Sequence, residues 1–262
     1  MNPNLSYIKY LLRKPFHSYR YKSFKRESSS LSKKLNLRQK VLEEISEYTK
    51  EDFSRIEEKH KNLTAQVSKR DYDQLSDDEV LRFYSNDEHY FYELPIWNAD
   101  CGRNLCISRI ITPYLKRNKY KSILDFGAGT GDLCIVLAEE GFVVSYKDIN
   151  KKLRDFSNWR FQKHGLNIKI MDESETGSGQ FDCLVTFDVL EHLKNLPQKL
   201  KNISGFIKRK GSLIFNIESS GDGLHLKENK IYCNDRKLDK ILRNAGFVFS
   251  WKFKRFLFYK KK

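Results

Sequence analysis

Residues 123–132 read Ile123-Leu124-Asp125-Phe126-Gly127-Ala128-Gly129-Thr130-Gly131-Asp132. A short run of strand character enters three alternating glycines, and an apolar helical pattern begins at Asp132. Glycine there lets the backbone turn tightly and come close to a ligand at a helix N-terminus. Asp148 ends the next strand pattern, at about the 20-residue spacing that brings a carboxylate to a ribose diol in nucleotide-binding βαβ units. The dehydrogenase fingerprint G-x-G-x-x-G is not met, because the third glycine comes one residue early and Cys134 holds the following small-residue position. No G-K-[ST] phosphate loop occurs, which argues against nucleoside triphosphate hydrolysis.

Downstream of this segment the chain alternates short β-rich runs with helical ones. The strands read as Ser122–Phe126, Phe142–Lys147, Ile168–Met171, Phe181–Phe187, Ser212–Ile217, Phe247–Trp251 and Phe253–Tyr259. Gly141, Gly165, Gly211 and Gly246 stand where helices would need a left-handed terminal residue. Such alternation predicts an α/β fold with a mainly parallel, helix-covered sheet. The last two strands meet near Lys252 without room for a crossover, so they are expected to form an antiparallel hairpin at an edge.

Upstream, Leu5, Ile8, Leu11 and Leu12 recur at helical spacing until Pro15, and the Ser-rich, basic stretch to Lys34 reads as a linker or arm. Val41, Leu42, Ile45, Tyr48, Phe53 and Ile56 predict one or two amphipathic helices. Ser76 and Glu79 form a capping-box pattern, and Asp100–Leu115 reads as a helix that Pro113 shortens or bends. The division expected is a basic helical extension over 1–85 and a catalytic domain over 86–262.

The formal charge of +15 is concentrated at the ends: residues 1–40 hold eleven Lys/Arg against Glu27, and residues 252–262 hold six and no acid. Basic ends on a near-neutral body suit an anionic partner, phospholipid or nucleic acid, though simple solubility explains them as well. Five scattered cysteines without a Cys-x-x-Cys spacing fit neither a disulfide framework nor a zinc site. With no signal-peptide pattern and no span of about 20 apolar residues, a cytoplasmic protein, peripheral to the membrane at most, is expected.

The Asp125-to-Gly131 segment resembles the first motif of the class I S-adenosylmethionine-dependent methyltransferases, an acidic residue followed by G-x-G-x-G. Residues 181–193, Phe-Asp-Cys-Leu-Val-Thr-Phe-Asp-Val-Leu-Glu-His-Leu, are similar to the fourth-strand motif of the subgroup containing ubiquinone-pathway O-methyltransferases. The resemblance covers roughly residues 90–262. It implies a Rossmann-like seven-stranded sheet in the order 3-2-1-4-5-7-6 with S-adenosylmethionine as cofactor. It also implies roles: Asp125, Gly127 and Gly129 against the methionine moiety, with Gly131 shaping the turn; Asp148 on the ribose hydroxyls; Ile149 on adenine; Asp172 accepting from the adenine amine. Phe187 and Asp188 would line the floor near the sulfonium, and Arg103 would meet the cofactor carboxylate. Tyr90, Tyr92 and Trp97 stand where the family carries an aromatic lid.

On the reacting side, His192 suits general-base work near neutrality. A Glu-His pair in this place also serves as a loop-ordering element, so both roles stay open. Asp188, Glu191 and His192 are similar to the metal-binding Glu-x-x-Glu-His of ubiquinone-pathway and small-RNA 2′-O-methyltransferases, with Asp188 as the departure. His225 would close the metal sphere or the acceptor pocket. Three functions follow: methylation of an oxygen, less readily a nitrogen, on a small, lipid-linked or glycan acceptor; 2′-O-methylation of RNA; or a cofactor-binding scaffold without catalysis.

Overall fold

The computed structural model describes residues 20–67, 75–86, 88–217 and 225–262. Helices α1 (residues 20–34), α2 (Leu37–Thr49), α3 (Phe53–Val67), α4 (Asp77–Asn86), α5 (His89–Cys101) and α6 (Arg103–Arg117) precede the sheet. The sheet then forms from β1 (Ser122–Phe126), β2 (Val143–Lys147), β3 (Lys169–Ile170), β4 (Phe181–Thr186), β5 (Ile207–Phe215), β6 (Phe247–Phe253) and β7 (Phe256–Lys261), interleaved with α7 (Asp132–Glu139), α8 (Lys151–Lys163), α9 (Leu196–Phe206) and α10 (Asp235–Asn244). Its order is β3-β2-β1-β4-β5-β7-β6, the expected one. Pairing is parallel from β3 through β5, and β7 runs antiparallel to both β5 and β6.

Strand alternation divides the core in two. On β1, Ile123 joins Ile107, Ile111, Leu133 and Phe258 under α6 and α7, while Leu124 joins Leu200, Ile203, Leu238 and Leu242 under α9 and α10. Burying each such side chain contributes about 1.5–3 kcal/mol. Because β1 pairs with β2 on one side and β4 on the other, the connections diverge at their C-terminal ends, where open α/β sheets form their ligand crevice.

The helices before the sheet are packed against it. Val41, Leu42 and Ile45 of α2, Ile56 of α3, and Phe91, Tyr92 and Ile96 of α5 share one apolar cluster with Leu153 and Phe156 of α8. The cluster therefore joins residues on both sides of the expected boundary at 85. The Ser76–Glu79 capping box forms at the start of α4, with the Ser76 N–H donating to Glu79 Oε2 at 2.8 Å.

Several expectations need correction. The stretch read as a linker is helical from residue 20, and Ser28 and Ser32 are buried. The helix expected over 100–115 starts at Arg103, after the left-handed Gly102 closes α5, and it passes through the exposed Pro113 to Arg117. Gly211 caps no helix. It lies within β5, which begins at Ile207, and the left-handed residue is Lys210, beside a register shift against β4. The β6–β7 turn falls at Lys254 and Arg255, beyond Lys252. The stripe from Leu5 to Leu12 lies outside the described residues.

Gly102 shows why α1 has a definite seat. Its φ is 62°, and a Cβ there would overlap the Ser28 carbonyl, so α1 crosses the α5–α6 junction in backbone contact. Ser32 donates through Oγ to the Ala99 carbonyl from the same face. Gly102→Ala should therefore lower stability by about 1–3 kcal/mol, combining left-handed strain with a clash. Gly141, at φ 89° with open space around it, isolates the strain alone. Thermal denaturation should show a clearly larger loss for Gly102→Ala than for Gly141→Ala; equal losses would mean that α1 is not seated on this junction.

Candidate active site

The glycine turn after β1 is held from beneath. Gly127, Gly129 and Gly131 all have positive φ, and a Cβ on Gly131 would run into the Phe161 ring. The Gly129 carbonyl accepts from the Tyr146 hydroxyl at 2.7 Å and the Ser157 hydroxyl at 3.2 Å, while its N–H donates to Asp148 Oδ2 at 2.8 Å. Asp148 Oδ1 accepts from the Asn150 N–H at 2.9 Å. Burial pushes the Asp148 carboxyl up to about 6, against the pull of these backbone donors. The expected ribose acceptor is thus in direct contact with the turn.

Above the turn a small cavity, partly open to solvent, is lined by Asn98, Arg103, Asn104, Asp125, Asp132 and Phe187 among others. Asp125 is 4% exposed and accepts from the Cys134 thiol at 3.4 Å; burial pushes its carboxyl up to about 7. Asn98 has an orientation fixed by chemistry. Its Nδ2 donates to Asp132 Oδ2 at 3.0 Å, and since a carboxylate only accepts, Oδ1 is the remaining atom. That Oδ1 is buried and meets no donor among the described residues, so this cavity wall presents an acceptor suited to an ammonium.

Arg103 begins α6 and reaches across to β4. Its Nη2 and Nε bond Asp188 Oδ2 at 2.5 and 3.1 Å, Nη2 also reaches the Phe187 carbonyl at 3.3 Å, and the guanidinium lies over Trp97 at 5.4 Å. Asp188 has φ 58° and exchanges two hydrogen bonds with Asn216. Burial pushes its carboxyl up, but the guanidinium groups of Arg103 and Arg255 and the Asn216 amide outweigh this and hold it below the usual range. Glu93 shares the α5 face of Tyr90, Leu94 and Trp97, and burial pushes its carboxyl up to about 7.

The reacting side is built on a 3-10 turn at Leu190–His192. Asn229, itself buried, donates to the carbonyls of Leu190, Glu191 and Leu193 at 3.3, 3.1 and 2.8 Å and so fixes the turn. His192 Nδ1 lies 2.9 Å from the Tyr84 hydroxyl, and its ring meets that of His225 edge-on at 4.9 Å. Tyr84 stacks on Tyr90 at 6.0 Å, and its carbonyl accepts from Asn150 Nδ2, tying α4 to the strand-β2 side of the cleft. Glu191, His192 and His225 bring one ligand atom each to within 4.8 Å of one another. Asp188 is absent from this group. The Asp188-Glu191-His192 set is therefore corrected to Glu191-His192-His225, because Arg103 and Asn216 claim the Asp188 carboxylate.

The remaining expected residues divide. Phe187 lines the cavity and packs edge-on against Phe256, and Ile149 is half-buried beside Asp148. Asp172 is exposed at the end of β3, where its Oδ1 accepts from the Ser174 N–H and hydroxyl at 2.9 and 2.7 Å. Tyr92 does not belong to a lid: it is 1% exposed and bonds Glu51 and Lys59 within the helical packing. Tyr90 and Trp97 remain on the cleft side of α5. Tyr84, Asn98, Glu93 and Asn229 escaped the sequence reading. Only for Glu93 and Asn98 was a signal present, in the shared helical phase with Tyr90 and Trp97.

A sequence profile described as a methyltransferase domain matches residues 102–248. The chain is 29% identical over 133 residues to a methyltransferase-named protein of Geobacillus sp. (strain WCH70), covering 48% of this chain and 54% of the relative. It is 29% identical over 102 residues to the ubiquinone biosynthesis O-methyltransferase of Coxiella burnetii (strain RSA 493 / Nine Mile phase I), covering 37% and 44%. It thus spans about half the length of the curated relatives it matches. In fold it is similar to the magnesium protoporphyrin IX methyltransferase from Synechocystis PCC 6803, with a TM-score of 0.54 and 19% identity over 72% of this chain and 98% of that one.

Asp125 in the cavity wall and Glu93 on α5, both near 7, and Asp148 beside the glycine turn, near 6, all owe their raised values to burial. The folded protein binds their protons more tightly than the unfolded chain does. Their contribution to stability is fully present below about pH 4 and is lost as pH rises through 6 to 7. Scanning calorimetry of the ligand-free protein should show Tm falling between pH 5 and 8, and a cationic ligand in the cavity should raise Tm more at pH 8 than at pH 5. A Tm that climbs across this range would contradict the assignment of buried, protonated carboxyls.

Proposed function

The chain belongs to the methyltransferase-domain family, and from that membership we propose that it is an S-adenosylmethionine-dependent methyltransferase acting on an oxygen of a small, lipid- or glycan-linked acceptor. The observation that carries the reading is the placement of a Tyr84–His192–His225 cluster at the C-terminal end of β4, on the same rim as the glycine turn and Asp148. The O-methyltransferase names of several relatives support an oxygen acceptor.

The residues fit the cofactor. Asp148 offers carboxylate oxygens to the ribose diol, exchanging its Gly129 contact for ligand hydroxyls. Asn98 Oδ1 accepts from the ammonium of the methionine part, and Asp125 adds negative potential beside it. Trp97 and Phe187 supply aromatic surface near a sulfonium. Bound S-adenosylmethionine supplies a methyl carbon that bonds to the acceptor oxygen as its bond to sulfur breaks, the sulfur keeping the electron pair and leaving as a neutral thioether. With Nδ1–H donating to the Tyr84 oxygen, His192 presents the Nε2 lone pair, which takes the acceptor's hydroxyl proton. Tyr84 holds the ring through Nδ1, and Asn229 fixes the turn that carries the imidazole.

A second reading rests on the Glu191, His192 and His225 donors. One carboxylate and two imidazoles within mutual reach suit a divalent cation, which would acidify an acceptor hydroxyl. An RNA 2′-O acceptor is compatible with either arrangement. The scaffold reading has less support, because the glycine turn and Asp148 are intact.

Asp148→Ala should weaken binding of S-adenosylmethionine and of its demethylated product by about 1.5–3 kcal/mol, as for hydrogen bonds to a charged group. Asn98→Leu should weaken S-adenosylmethionine but leave 5′-methylthioadenosine, which lacks the amino-acid part, nearly unaffected. Calorimetry with both ligands separates a local role for Asn98 from general damage to the cavity, which would lower both.

His192→Ala should reduce turnover by roughly 10² to 10⁴ with cofactor affinity nearly intact. Turnover lost on chelation and restored by magnesium would favour the cation reading, whereas full activity in the variant would return His192 to a loop-ordering role.

A further inference from the structure

Helix α1 and the β6–β7 hairpin, both rich in lysine and arginine, meet. Tyr21 of α1 packs edge-on against Phe253 and Phe256 at 6.3 and 5.9 Å, and Phe24 lies 6.3 Å from Phe253. These two phenylalanines flank the Lys254–Arg255 turn of the β6–β7 hairpin. The hairpin also touches the catalytic cleft: Phe256 packs on Phe187, and Arg255 lies 3.9 Å from Asp188.

Outward from this junction, α1 exposes Arg20, Lys22, Lys25, Arg26, Lys33 and Lys34. Lys22, Arg26, Ser30 and Lys34 follow one another at four-residue steps, a ridge about 18 Å long. Nearby acids cancel only part of this charge, Glu27 pairing with Arg109 and Asp235 with Lys252. Leu31, 37% exposed, lies next to Ser30 of the ridge.

We propose that α1 and the β6–β7 turn form a single docking surface for an anionic phospholipid membrane, holding the mouth of the cleft against the bilayer. Only the delivery of a lipid-linked acceptor rests on the catalytic reading above; the surface itself does not. The features favour a membrane over nucleic acid. The ridge is convex, and its aromatic neighbours Tyr21 and Phe24 are packed against the hairpin, so it offers neither the groove nor the stacking platform that single-stranded nucleic acid uses. A plane of headgroups needs only clustered cations, with shallow apolar contact from Leu31. No helix among the described residues is long and apolar enough to cross a membrane, so attachment would be peripheral and salt-sensitive.

The test is sedimentation of the full chain with phosphatidylcholine vesicles and with vesicles containing phosphatidylglycerol, at low and high salt, without cofactor. Binding to the anionic vesicles alone, abolished by salt, is expected. The variant Lys22→Glu/Arg26→Glu/Lys254→Glu should partition about 100-fold less, the scale set by withdrawing three basic side chains from anionic headgroups, while its Tm and S-adenosylmethionine affinity stay unchanged. The proposal is overturned if the full chain ignores anionic vesicles, if the variant binds as well as the parent, or if the protein retards RNA in a gel but does not sediment with lipid. Because the assay needs no cofactor, failure to bind S-adenosylmethionine would count against the catalytic reading and leave this result standing.

Discussion

The Arg160 guanidinium is the contact on which the arrangement turns. It is buried, donating to Glu44 of α2 at 2.8 Å, to the Thr130 carbonyl in the glycine turn at 2.7 Å and to Asp132 at the head of α7 at 2.8 Å. A buried cation without partners is costly, and removing one member of such a set typically loses about 3–5 kcal/mol. The network therefore stands or falls as a unit. Glu44 also meets His164 at 2.6 Å, and Asp132 accepts from Asn98 and from Thr130 Oγ1. Through one side chain the N-terminal helices, the crossover α8 and the ligand turn are held in a common register.

That clamp makes the helices before the sheet part of the site. The strand ends supply Asp125, Asp148 and the turn carrying His192, whereas α4, α5 and α6 supply Tyr84, Asn98 and Arg103. The sheet alone would present a turn and two carboxylates open to solvent. The helices close the cavity, give it an ordered acceptor in Asn98 and bring the Tyr84 hydroxyl to Nδ1 of His192. Burial raises the carboxyls of Asp125, Asp148 and Glu93, since water that would stabilise their charge is excluded.

Much of the sheet was legible because its signals are local. Glycines at 127, 129, 131, 141, 165 and 246 and apolar runs of strand length fall where the backbone needs them, and Asp148 is at the loop for the same reason. α1 was not legible because its inward face holds Ser28 and Ser32, small enough for close backbone approach over Gly102, so no apolar period marks it. Tyr84 gave no signal because its partner is 108 residues away. Tyr92 misled, since an aromatic before the first strand serves helix packing as readily as a lid. Asp188 misled because a motif shows a carboxylate's position but not that Arg103, 85 residues earlier, has already engaged it.

The seat of α1 also bears on the order in which the chain is made. Its aromatic partners, Phe253 and Phe256, leave the ribosome about 230 residues later, so at roughly 5–20 residues per second Tyr21 and Phe24 wait on the order of ten seconds or more. During that interval α1 has no sheet edge to rest on. A helix whose contact face was built from leucines would be a standing invitation to aggregation. Ser28, Ser32 and a ridge of lysines and arginines let the segment wait in water until the β6–β7 hairpin is made and takes up Tyr21 and Phe24.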